Sequence, residues 1–117
     1  MSHDEARIQE AIIYWWDNNY PEEQQRLFHV NNNASGYITK RKGAQLKRQG
    51  VRAGVSDLIL IWKERIYFIE LKTPKGKQTQ TQKDFQSVCL NYGHNYVIIR
   101  SLDEFIDMIE HLKKLKP

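Results

Sequence analysis

Cysteine is nearly absent from this chain. Cys89 stands alone among 117 residues, so no intrachain disulfide and no CxxC zinc motif can form. Long apolar runs are missing as well. The longest, Leu58 to Trp62, falls far short of the ~20 residues that a membrane-spanning helix needs. The N-terminal segment MSHDEARIQE is polar and acidic, so no secretory signal is expected. His3, His29, His94 and His111 are scattered without metal-ligand spacing and read as surface or packing residues. GKQTQTQ lacks the GxxxxGK[ST] spacing of a phosphate-binding loop. With no repeat, low-complexity tract or linker, the expectation is one domain over residues 1–117, intracellular, off the membrane and without a small-molecule cofactor.

Acid is missing from one long stretch, and that points to a partner. YITKRKGAQLKRQGVRAG carries Lys40, Arg41, Lys42, Lys47, Arg48 and Arg52 with no Asp or Glu. Lys72, Lys75, Lys77 and Lys83 follow, whereas the acids Asp4, Glu5, Glu10, Asp17, Glu22 and Glu23 crowd the N-terminus against Arg7 alone. Such segregation suits a polyanion, because Lys and Arg release counterions from phosphates. A solvated basic loop is the plainer alternative. Asn32, Lys40, Arg41, Lys47, Arg48, Arg52, Lys75 and Lys77 are the candidates to approach the phosphates of such a partner, since polar donors and cations suit phosphates.

Hydrophobic spacing predicts the elements. Ile8, Ile12, Trp15 and Trp16 lie on one face of a helix from Asp4 to Asn19, with Pro21 just beyond its end. RLFHV reads as a short strand, followed by an irregular segment with a turn or two of helix near Ala44 to Arg48. VSDLILIW and IYFIELK are the clearest strands. KTPKGKQTQTQ leads into a helix bearing Phe85, Val88, Cys89 and Tyr92, capped by Gly93. NYVIIR is a fourth strand, and the Ser101–Glu104 capping box opens a last helix with Phe105, Ile109 and Leu112 on one face. The order αβββαβα implies an α/β fold with a mixed sheet flanked by helices. Cys89 and the three tryptophans fit core or interface packing better than chemistry or base stacking.

GVSDLILIWKERIYFIELK raises the functional question, because Asp57, Glu70 and Lys72 interrupt its most apolar run. Glu70 and Lys72 share a strand face, with Leu71 opposite. A two-residue turn at Lys63-Glu64 would place Asp57 across from Glu70. A three-residue loop would place it across from Leu71, and a four-residue one across from Lys72. All three remain open here. Facing carboxyls would be about 4.5–5.5 Å apart at Cβ, and would repel unless a cation or a proton intervened. Oxygen donors suit Mg²⁺ or Mn²⁺ rather than Zn²⁺. Lys72 can hold a reacting water or offset charge on a phosphate. The bland reading is an exposed Glu70–Lys72 pair at a strand end. Against it stands the cost of burying polar groups unpaired, about 2–7 kcal/mol even for a neutral one.

These residues resemble the PD-(D/E)xK nuclease superfamily, and within it the virus-type replication-repair nuclease (VRR-NUC) domain. The matching features are EARIQ on the first helix, GVSDL, IELK, and TQKDF after it, spread over nearly the whole chain. The resemblance implies a restriction-endonuclease-like αβββαβ core and a Mg²⁺- or Mn²⁺-dependent DNA endonuclease. It implies Asp57, Glu70, the Leu71 carbonyl and Glu5 at the metal, Lys72 positioning water, and Gln82 completing the catalytic set. Minimal forms of the domain are associated with homodimers acting on branched DNA such as Holliday junctions, and a lone nuclease of this size would suit a phage or prophage. Ser56 stands where the superfamily name has Pro. Glu10 competes with Glu5, and Gln78 and Gln80 compete with Gln82. Nuclease action on flaps or ends, and a non-catalytic nucleic-acid-binding domain of the same fold, are the alternatives.

Overall fold

Helix α1, His3–Asn19, turns Ile12 and Trp16 inward until neither is exposed at all. The computed structural model describes residues 3–31 and 39–115. A 3-10 turn, Gln24–Arg26, leads into β1, Leu27–His29. After it come α2, Lys40–Arg48; β2, Leu58–Trp62; β3, Arg65–Leu71; α3, Gln80–Asn91; β4, Asn95–Ile99; and α4, Leu102–Lys114. The strands form one sheet ordered β1-β2-β3-β4. Its first two pairings are antiparallel and the β3–β4 pairing is parallel, so the sheet is mixed, as the strand and helix order implied.

The period-two alternation of β2 and β3 separates the two sheet faces. Leu58, Leu60, Trp62, Ile69 and Leu71 join Ile12 and Trp16 of α1 and Phe105, Ile109 and Leu112 of α4 in one core. The opposite face is covered by α3, where Phe85 meets Phe68 edge to face at a centroid separation of 5.5 Å. Cover there is partial. Phe28, Ile61 and Ile66 on the sheet, Val88 on α3 and Tyr92 at its C-cap stay exposed. Cys89 is buried as expected, and burial pushes its thiol up, which suits a packing residue.

Local chemistry fixes the helix ends. The Thr39 hydroxyl accepts the Lys42 N–H, so α2 begins at Lys40, well before the turn or two expected near Ala44. Lys40 and Arg41 therefore lie on a helix rather than in a loop. Ser101 caps α4 by accepting the Glu104 N–H, but the Glu104 carboxylate reaches the Arg100 N–H at 2.6 Å instead of completing the expected box. The complete box sits at α3, where Thr79 and Gln82 each accept the other's backbone N–H. Gly93 ends α3 at φ 78, the left-handed conformation glycine tolerates.

Candidate active site

The hairpin between β2 and β3 forms a two-residue turn, with Trp62 paired to Arg65 and the ladder running to Leu58 opposite Ile69. Just beyond this ladder, the Asp57 carboxyl comes within hydrogen-bonding reach of Glu70. Of the three connections open to the sequence, the two-residue turn is the one the chain adopts, with Lys63 at φ 54 supplying the tight turn that no glycine provides.

Asp57 is held from several sides. Its N–H donates to the Ile69 carbonyl at 3.0 Å, and its carbonyl accepts the Val30 N–H at 2.9 Å. His29 Nδ1 is also 2.9 Å from that carbonyl, which can only accept, so this ring nitrogen donates. The Asp57 Oδ2 takes the Leu71 N–H at 2.7 Å, standing in for a ladder carbonyl where the strands end. Gly54, three residues earlier, has φ 85, and a Cβ there would come within 2.5 Å of the Thr81 carbonyl oxygen. Only glycine lets the GVSDL segment lie against the start of α3.

Glu70 is gripped at both oxygens. Gln82 Nε2 donates to Oε2 at 3.1 Å, and the Tyr96 hydroxyl donates to Oε1 at 3.3 Å. Glu70 and Asp57 are 1% and 5% exposed. Burial first, then the hydrogen bond and negative charge of Asp57, push the Glu70 carboxyl up to about 9. Two buried acids that cannot both ionise comfortably form a donor set suited to a hard divalent cation. Asp57 and Glu70, with the adjoining Leu71 carbonyl, are the groups that would hold it.

Lys72 is buried and its Nζ lies 3.7 Å from Glu5 Oε1. The helix acid thus stands with the lysine. Among the described residues no three His, Cys, Asp or Glu side chains gather into a metal-holding group. Glu10 is exposed. Among the competing glutamines, Gln80 bonds Asp84 and Gln82 reaches Glu70. Lys40, Arg41, Lys47, Arg48, Arg52, Lys75 and Lys77 are all exposed, and Asn32 lies outside the described residues.

Sequence reasoning passed over two supports. Tyr96 looked like one more residue of an apolar strand, yet the parallel β3–β4 register puts it on the Glu70 face. Arg100 Nη1 donates to the carbonyls of Thr73 at 2.8 Å and Gly76 at 2.7 Å, clamping the loop that bears Lys75. The alternation of β4, which puts Tyr96 on the face opposite the buried Ile99, was the available signal for the first. No local signal marked the second.

Residues 3–103 match the VRR-NUC domain family. The chain belongs to that family. VRR-NUC domains are nuclease-type domains of the PD-(D/E)xK superfamily, and this class generally uses divalent metals. A solved VRR-NUC domain protein superposes with a TM-score of 0.77 over 98% of this chain and 92% of the other, at 23% identity. That likeness establishes the VRR-NUC fold. No curated protein matches the chain.

Proposed function

We propose that this VRR-NUC domain is a Mg²⁺- or Mn²⁺-dependent endonuclease that hydrolyses phosphodiester bonds in branched DNA such as Holliday junctions, acting as a homodimer. The observation that carries the reading is the buried Asp57–Glu70 pair, two carboxyls too close to ionise together without a cation between them. When bound, the ion would supply Lewis-acid stabilisation of phosphate charge and a more acidic water. Asp57, Glu70 and the Leu71 carbonyl would hold it. Lys72, kept in place by Glu5, orients the attacking water and offsets charge on the scissile phosphate. Gln82 fixes the Glu70 carboxylate.

The exposed cations of α2, with Arg52, Lys75 and Lys77, grip phosphates. The first turn of α2 carries Lys40, Arg41 and Lys42 with no acid, an arrangement that disfavours an isolated helix but favours one lying against polyanion. The uncovered side chains Phe28, Ile61 and Ile66 support a second copy as partner, and two symmetric sites suit two symmetric nicks. The same reading makes residues 1–117 one domain and the site of action intracellular, in a phage-infected or bacterial cell.

Cleavage of a labelled four-way junction with Mg²⁺ or Mn²⁺ tests this, beside Lys72→Ala and Asp57→Asn and against flap, end and nicked-duplex substrates at fixed salt. Metal-dependent nicking lost in both variants is expected. Binding without nicking would instead favour a non-catalytic nucleic-acid-binding domain, and preference for flaps or ends would move the substrate.

A further inference from the structure

Beside an ionised Glu70, which can only accept, the hydrogen bonds around Tyr96 run in one direction. An amide –NH₂ carries two hydrogens, and Gln78 Nε2 donates to Gln86 Oε1 at 2.9 Å and to the Tyr96 hydroxyl oxygen at 3.2 Å. The Tyr96 oxygen thus acts as acceptor toward Gln78. Its single proton goes to Glu70 Oε1 at 3.3 Å. Phe85 packs against the ring at a centroid distance of 6.1 Å and itself meets Phe68. On the other carboxylate oxygen, Gln82 is oriented in the same unambiguous way, since its Oε1 accepts the Thr79 N–H at 2.9 Å. Glu70 therefore meets two donors whose polarity is set before any ligand arrives, one on each oxygen.

We propose that Tyr96, held by Gln78, is a positioning residue that orients the Glu70 carboxylate for a divalent cation. Tyr96 reaches the carboxylate from β4, a different strand, so it fixes the plane of the group without competing for the space beside Asp57. Groups that orient a metal-binding carboxylate typically change metal affinity by about 10–100-fold when removed. The inference rests on the reading of Glu70 as a metal-holding group, and the test is built to separate the two.

Mn²⁺ alone is titrated calorimetrically into the full chain and into Tyr96→Phe, Gln78→Met, the double variant and Glu70→Gln, with thermal unfolding of each. Tyr96→Phe removes one oxygen and keeps the ring packing. It is expected to weaken Mn²⁺ binding about tenfold, with an unfolding midpoint close to that of the parent. Gln78→Met is expected to weaken binding by a smaller factor, about threefold, and to add nothing in the Tyr96→Phe background, because it acts through the tyrosine. A purely structural role would move the midpoint and leave affinity alone. Tyr96→Phe and Gln78→Met both within twofold of the parent, while Glu70→Gln abolishes binding, would overturn the inference and leave the ligand reading intact. Undiminished binding by Glu70→Gln would overturn both. If Tyr96→Phe unfolds, the Gln78→Met affinity decides by the same criterion.

Discussion

Lys72 and Glu5 form an ion pair at 3.7 Å, with side chains only 8% and 16% exposed. It ties the start of α1 to the end of β3. Breaking such a pair leaves a charge short of its partner in a place water reaches poorly. Glu5→Gln should cost about 1–3 kcal/mol of stability, read as a lowered denaturation midpoint. It should reduce nicking less than Lys72→Ala does. The lysine variant is expected to lose about 10²–10⁴-fold in kcat, and Lys72→Met should be equally inactive while keeping more of the stem's packing.

Stability should depend on pH in a direction opposite to that of most carboxylates. Glu70 is raised from 4.5 to about 9, first by burial and then by Asp57. Between those values the folded chain holds a proton that the unfolded chain releases, so the metal-free protein loses stability as pH rises from about 5 to 9. Below the lower value the contribution is fully present. Thermal melts across this range with a chelator should show the decline, and Glu70→Gln should flatten it. Added Mn²⁺ should raise the midpoint more at pH 8 than at pH 6, because the cation replaces the proton.

Gly54 offers a steric test. With φ 85 and the Thr81 carbonyl 2.5 Å from where a Cβ would stand, Gly54→Ala should cost about 2–4 kcal/mol in strain and displacement. Gly50 shares a positive φ but has open space around its missing Cβ. Gly50→Ala should cost only the backbone share, about 1–2 kcal/mol. Urea unfolding of the two variants side by side checks the difference.

Basic residues on α2 should act uniformly across DNA sequences. Lys47→Gln or Arg48→Gln is expected to reduce the slope of log K against log salt by about 1 each. Measuring junction affinity at several salt concentrations, with Ca²⁺ in place of the reactive ion, isolates binding from cleavage. A slope unchanged by either substitution would remove that residue from the interface.

Much of this arrangement was written in local patterns. The alternation of Leu58, Leu60 and Trp62 against Tyr67, Ile69 and Leu71 made both strands and their buried face legible, and the acids interrupting them marked the site. The turn did not announce the register, because Lys63 takes a left-handed conformation that glycine or asparagine usually supplies. Burial of one face settled what the turn chemistry left open. Thr39 as a helix cap was missed because Lys40, Arg41 and Lys42 mask the hydrophobic period that normally reveals a helix start. Tyr96 lies on β4 and Arg100 just past its end, both distant in sequence from their partners, and the parallel pairing that brings them together is contained in no short window. The pairing of Glu5 with Lys72 likewise joins residues far apart in sequence.

Gln82 spends its amide twice, with the oxygen on the Thr79 N–H and the nitrogen on Glu70. Swapping it for glutamate would still let the helix begin but would press a second negative group onto Glu70. Swapping it for leucine would loosen the helix and the carboxylate together. Positions 70, 79 and 82 consequently form a linked set in which single exchanges are penalised and coordinated ones are tolerated, so a redesign of this site must treat the three as one choice.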